Sequence, residues 1–93
     1  MGEGSFKAQK GLIRVRTEAK SSEIESITIS GDFFMYPEDQ LWELEKRLKG
    51  TKTRKKDITE KIKEFYRNRD VLSPGVAPED FAEAIIRALN ASD

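Results

Sequence analysis

Two short runs in which apolar and polar residues alternate, joined by a five-residue polar connector, limit the fold of this chain more than any other feature. In Leu12–Glu18, Ile13, Val15 and Thr17 alternate with Arg14 and Arg16. Successive strand residues face opposite sides, so this run reads as a strand with one buried and one wet face. Ile24–Ser30 repeats the pattern, with Ile27 and Ile29 on one face and Ser26, Thr28 and Ser30 on the other. Its β-branched residues suit a pleated surface. The connector Ala19–Glu23 is of hairpin-loop length, which makes the two strands antiparallel neighbours. Gly31-Asp32 reads as the turn that ends the second strand, with Asp32 a turn former. Upstream, Ser5–Gln9 is open between a loop and a short edge strand. Residues 1–4, small and polar with two glycines, are expected to be mobile.

Beyond Tyr36 the apolar spacing changes from two to three and four. Pro37 suits a first helical position, with Glu38 and Asp39 in a first turn where the helix dipole favours anions. Leu41, Leu44 and Leu48 line one face, with Trp42 beside them, and Gly50 is the stop. After the basic connector Thr51–Lys56, Asp57 and Glu60 have the spacing of a capping box. Ile58, Ile62 and Phe65 form the next stripe, with Tyr66 near it, and this helix is expected to start between Arg54 and Asp57. Val71–Val76 is a turn around Pro74 and Gly75. Pro78 opens a third helix, whose face is Phe81, Ile85, Ala88 and Leu89. Ala82 and Ile86 widen that face, which predicts the deepest burial of the three. Asn90–Asp93 is expected to fray. Strands come first and helices after, with no internal repeat or linker. The pattern predicts one domain over residues 1–93, of α+β class: a small antiparallel sheet of two or three strands covered on one face by three α-helices.

Composition removes whole classes of chemistry. The chain has no cysteine and no histidine. Disulfides, thiol nucleophiles, histidine acid–base catalysis and the usual zinc sites are therefore excluded. Gly31, Gly50 and Gly75 stand alone, and none begins a phosphate loop or dinucleotide fingerprint. A self-sufficient enzyme is not expected. No apolar run approaches the ~20 residues that span a bilayer. The start, MGEGSFK, lacks the apolar core of a signal peptide, and Phe6 stands where a myristoylation signal wants Ser or Thr. The expectation is a cytoplasmic protein with no membrane contact.

The net charge of zero hides an uneven distribution. Residues 1–45 carry 5 basic and 9 acidic side chains, residues 46–69 carry 11 and 3, and residues 70–93 carry 1 and 5. The middle block has two readings. One is a solvated helix face, partly paired with Glu60 and Glu64. The other is a nucleic-acid-binding surface. The first is favoured, because nucleic-acid modules usually carry a net positive charge. Arg14 and Arg16 share a strand face, with Lys10 just before it. Guanidinium groups suit phosphate or carboxylate recognition, but they also simply cover solvent-facing sheet. Phe33 and Phe34 are open between a partner-facing and a core role.

The motifs K-G-L-I-R-V-R (Lys10–Arg16) and I-T-I-S-G-D-F-F (Ile27–Phe34), followed by the Pro-Glu helix and the G-V-A-P-E-D-F-A segment (Gly75–Ala82), resemble the C-terminal accessory domain of lipoate–protein ligases. The resemblance spans nearly the whole chain. It implies a small antiparallel sheet with helices, similar to the scaffold proteins of iron–sulfur assembly. Scaffold function itself is argued against by the missing cysteines. It also implies an accessory subunit, inactive alone and free of cofactors of its own. With a large catalytic subunit it would activate lipoate with MgATP to lipoyl-AMP, and the lipoyl group would then pass to a lysine of a carrier protein. A chain from Met1 to Asp93 suits a ligase split into two polypeptides, and an excised domain would look the same. On this resemblance Lys7, Lys10, Arg14 and Arg16 are the cations nearest the nucleotide or the partner. Gly31, Asp32, Phe33 and Phe34 match the second motif in a structural or interface role. The alternatives are a nucleic-acid module built on residues 46–69, and a generic interaction domain serving another acyltransferase.

Overall fold

A computed structural model describes residues 2–91. The strands β1 (Gly2–Ala8), β2 (Gly11–Lys20) and β3 (Glu23–Asp32) precede the helices α1 (Gln40–Leu48), α2 (Lys55–Arg67) and α3 (Pro78–Asn90). The sheet is an antiparallel meander in the order β1-β2-β3. The helices cover one face: α3 lies over β1 and β2, α1 sits beside β3, and α2 packs on α1 and α3. The core between the layers contains Ile13, Val15, Ile27 and Ile29 from the sheet, with Leu44, Leu48, Ile58, Ile62, Phe81 and Ile85 from the helices. The α+β class and the parity of β2 and β3 are as the alternation predicts. α3 is the most deeply set helix, burying Phe81, Ala82, Ala84, Ile85 and Ala88.

The first strand is longer than expected. Gly2–Gly4, expected as a loose polar start, instead pair with Val15–Thr17 of β2. Gly4 lies directly under α3, where an added Cβ would come within 2.4 Å of the Ala88 backbone nitrogen. The glycine is there because helix and strand touch backbone to backbone. The mobility expected at Met1 and the fraying expected at Ser92 and Asp93 fall outside the described residues.

The β2–β3 connection is shorter than the expected five residues. Lys20 pairs with Glu23, so the loop is Ser21-Ser22, both at positive φ (55° and 62°). That conformation suits the right-handed twist of a hairpin. A bulge follows, because Glu18 pairs with Ser26 whereas Ala19 pairs with Ile24. The extra residue, Glu25, resets the alternation, and Ile24 and Ile27 both point into the core. The buried Thr17 hydroxyl donates to the Ser26 carbonyl at 2.7 Å.

Helix ends depart from expectation in two places. Pro37 is not at a first helical position; α1 begins at Gln40, after a turn in which the Gln40 N–H donates to the Pro37 carbonyl at 3.1 Å. The Asp57–Glu60 capping box does not form either. α2 starts two residues before Asp57, and the Asp57 carboxylate instead accepts from Arg54 Nε at 2.7 Å. At α3 the first turn closes as the sequence suggests. Ala77 N–H donates to the Asp80 carboxylate at 2.8 Å, and Asp80 N–H donates to the Ala77 carbonyl at 2.9 Å.

Both edges of the sheet are occupied by helix-borne groups. The Glu45 carboxylate of α1 accepts from the Ile29 N–H on the outer edge of β3 at 2.7 Å. The loop after α1 adds Ile24 N–H to Thr51 carbonyl at 2.9 Å. On the β1 edge, Arg87 of α3 donates to the Ser5 carbonyl at 3.2 Å. Such covering blocks edge-to-edge association of sheets.

Candidate functional site

The helices leave the other face of the sheet open. The register arranges its side chains in cross-strand rows: Glu3, Arg16 and Thr28; Ser5, Arg14 and Ser30; Lys7, Leu12 and Asp32. The first two rows line a shallow trough of about 640 Å³. Every residue of both rows is exposed. The period-two alternation of β2 causes this directly, because Ile13, Val15 and Thr17 take the other face.

The cations on this surface are not equivalent. Arg16 is held by Glu3, its cross-strand neighbour, through Nη2 and Oε2 at 3.2 Å. Arg14, Lys7 and Lys10 form no ion pair among the described residues. Arg14 is the central cation of the sheet, flanked across the strands by the hydroxyl residues Ser5 and Ser30. An unpaired guanidinium between two hydroxyls supplies donors without a competing carboxylate. That donor set suits a phosphate or carboxylate group.

The other sequence candidates separate by position. Lys10 is not on this face. It lies in the β1–β2 turn, where its N–H donates to the Gly75 carbonyl at 3.2 Å and its side-chain carbons cover Gly75. Gly31 and Asp32 do not form a turn but continue β3, paired with Ile13 and Leu12. Gly31 has φ of +140°, and a Cβ there would come 2.0 Å from the Leu12 carbonyl oxygen. Its role is structural: it lets β3 close on β2. Asp32 is exposed, across Leu12 from Lys7. Phe33 turns inward and meets Phe81 edge to face, with ring centroids 5.3 Å apart. Phe34, next in the chain, points out.

About half of the basic middle block is spent within the chain, while Arg47, Lys49, Lys56, Lys61 and Arg67 form no ion pair among the described residues. Lys52 pairs with Glu23, Lys55 with Glu83 and Lys63 with Glu79. Arg69 donates to the Gln40 side chain and lies over the Phe65 ring. Arg47, Lys61 and Arg69 border a small groove of about 220 Å³ between α1 and α2, which they share with Glu64. No group of three carboxylates gathers as a metal site among the described residues.

Ser5 and Ser30 were not singled out by sequence reasoning. For Ser30 the signal was available, since it shares the parity of Thr28 on β3. For Ser5 it was hidden by the ambiguity of the first strand.

Comparison with known proteins agrees with this architecture. The family described as the bacterial lipoate protein ligase C-terminus matches residues 3–85. Lipoate-protein ligase A subunit 2 of Thermoplasma acidophilum is 48% identical over 81 residues, which are 87% of this chain and 83% of that protein. A chain in the solved structure of an archaeal lipoylation system from T. acidophilum, a bi-partite lipoate protein ligase and its E2 lipoyl domain, is also similar. It has a TM-score of 0.82 and 44% identity, covering 89% of this chain and 91% of that one. The match runs from β1 into α3 and includes all three strands of the open face, and on these grounds the chain belongs to the lipoate protein ligase C-terminus family.

Proposed function

We propose that this chain is the accessory subunit of a two-subunit lipoate–protein ligase. It acts with a separate catalytic subunit in the ATP-dependent conversion of lipoate to lipoyl-AMP, ahead of lipoyl transfer to a carrier domain. The observation that carries this reading is the 48% identity to lipoate-protein ligase A subunit 2, over 83% of that protein. The open face of the sheet supports it. Lys7, Arg14 and Arg16 stand together on one wet surface, with Arg14 unpaired. That surface suits a subunit that meets an anionic reaction centre held elsewhere. MgATP would supply the adenylyl group of the activation step, with pyrophosphate as the leaving group. Arg14, with Ser5 and Ser30, would orient a phosphate or carboxylate group, and the docked sheet would keep water from a mixed anhydride that hydrolyses readily. The expected compartment is the cytoplasm; no helix among the described residues is long and apolar enough to cross a membrane.

The test is lipoyl-AMP formation from lipoate and MgATP by the catalytic subunit, with and without this chain. The expected result is adenylate only when both are present. In the same assay Arg14→Ala lowers the rate by roughly 10-fold or more, as removal of one charge-assisted hydrogen bond predicts. Equal adenylate from the catalytic subunit alone overturns the reading.

A further inference from the structure

One exposed apolar surface is left unused by the fold and by the open-face site. Phe34, Tyr36, Trp42 and Leu72 are 56%, 58%, 68% and 65% exposed. They come from three separate stretches of the chain, yet the backbone brings them together. Tyr36 and Leu72 exchange both backbone hydrogen bonds, each 2.8 Å, so their side chains emerge side by side. Phe34 and Tyr36 flank the buried Met35. Tyr36 and Trp42 line the same concavity, with Pro37 between them. Scattered exposed apolar residues are ordinary, but a clustered aromatic set marks a binding surface.

The cluster is continuous with the trough on the sheet. Ser30 borders both the trough and a second groove that contains Phe34 and Leu41. Glu38 borders that groove and the Tyr36–Trp42 concavity. One band of surface therefore runs from Arg16 across Ser30 to Trp42.

Charge decides what covers it. Exposed Glu38 and Asp39 line the aromatic end and have no ion pair among the described residues, and Asp32 is close in sequence to Phe34. A two-fold dimer through this patch would set those acids against their own copies, which is repulsive. A different protein with an apolar hollow rimmed by Lys or Arg fits.

We infer that Phe34, Tyr36, Trp42 and Leu72, rimmed by Glu38 and Asp39, are the anchor by which this chain docks on the catalytic subunit of its ligase. The inference rests on the accessory-subunit reading. It assigns affinity to the aromatic end of the band and leaves the Arg14 end to face the reaction centre. Large aromatic residues at the middle of an interface dominate its binding energy.

The experiment measures binding of the full chain to the catalytic subunit by biolayer interferometry, comparing wild type with Trp42→Ala, Tyr36→Ala and Glu38→Lys/Asp39→Lys. Trp42 and Tyr36 are mostly exposed, so far-UV circular dichroism and thermal midpoints should match wild type. The expected result is an affinity loss of about 30-fold or more for Trp42→Ala, the size typical of a central aromatic anchor. The charge reversal should weaken binding most at low salt. Trp42 is the single tryptophan of the chain. Fluorine NMR of fluorotryptophan-labelled chain should therefore show its resonance shift when the catalytic subunit is added. If wild type binds and the Trp42 and Tyr36 variants bind equally well, the anchor lies elsewhere and the accessory reading survives. If wild type does not bind the catalytic subunit, both fall together. If the chain dimerises in sedimentation and Trp42→Ala dissolves the dimer, a second copy is the occupant and the inference is overturned.

Discussion

Gly4→Ala is the sharpest test of how this fold is built, because it adds one methyl where two backbones touch. The new Cβ would lie 2.4 Å from the Ala88 nitrogen, 2.8 Å from the Ala88 Cα and 2.8 Å from the Arg87 carbonyl carbon. Ordinary carbon contacts sit at about 3.5–4.0 Å, so the shortfall is roughly 1 Å against three atoms at once. All three belong to the helix backbone, so no side-chain rotation relieves the clash. α3 must lift from β1, and α3 is the helix that buries Phe81 and Ile85 completely. Overpacking of this kind costs about 1–3 kcal/mol, and the stiffer unfolded chain returns about 0.4–1. A net loss of about 1–2 kcal/mol is expected, which lowers the thermal midpoint of a domain this size by roughly 5–10 °C. Urea unfolding followed by circular dichroism should show the midpoint fall with an unchanged slope. Ser5→Ala, one residue on and facing the open side, should stay within about 0.5 kcal/mol of wild type. A Gly4→Ala variant as stable as wild type would refute the close β1–α3 packing, and with it the inclusion of residues 2–4 in the sheet.

Replacing Ser21-Ser22 by Asn-Gly should raise stability by about 1 kcal/mol, because both positions have positive φ and these residues accept that conformation with less strain; an unchanged or lower midpoint in urea would count against the tight turn. Glu45→Ala removes the carboxylate that receives the Ile29 N–H at 2.7 Å and should cost about 1–2 kcal/mol. Glu45→Gln should recover part of that loss, and equal stability of all three chains would show that the edge bond contributes nothing. Tyr66 is held above its ordinary 10.0, first by burial and only partly offset by its hydrogen bond with Ser73. A raised folded pKa favours the protonated form in the native state, so this contribution is intact below pH 10 and is lost as pH rises through the folded value. Thermal midpoints should therefore fall above pH 10, and Tyr66→Phe should flatten that fall; an identical alkaline slope in the variant would assign the effect to other groups.

The parts of this fold legible in the sequence are those where side chains report the period. Ile13, Val15, Ile27 and Ile29 fix the inner sheet face, and with it the outward direction of Arg14 and Arg16. The leucines of α1, the Ile58–Ile62–Phe65 stripe and the broad apolar face of α3 are equally direct. The failures cluster where a residue type has two physical uses. Gly4 and Gly31 read as loop and turn because glycine relaxes the backbone, yet both are present because another backbone passes too close for a Cβ. The bulge at Glu25 left no compositional mark. Phe33 and Phe34 are chemically identical, and only the pleat separates the core ring from the exposed one. Leu72 sits in a turn segment with no periodicity. Its place beside Tyr36 depends on a pairing between residues 36 apart, which local pattern does not encode.

The uneven charge of the chain also takes on a different meaning once folded. A basic middle block between two acidic segments resembles a nucleic-acid footprint in one dimension. In three dimensions about half of it is an internal match, with five of its eleven cations in ion pairs. α2 carries Lys55 and Lys63 against Glu83 and Glu79 of α3, and Lys52 in the loop before it reaches Glu23 of β3. Exposed pairs of this kind contribute little stability, each about 0–1 kcal/mol. Their main effect is on specificity, because placing α2 against an acid-poor surface would leave Lys55 and Lys63 unmatched. The acids not used in this way include Glu38 and Asp39, beside the exposed aromatics. Among the surfaces left with unmatched character are the cationic sheet at Arg14, the α1–α2 groove at Arg47 and Lys61, and the acidic, aromatic rim at Trp42. A partner that covers the sheet and the rim must present opposite charges to the two ends of one band, which fixes its orientation on the chain as well as its affinity.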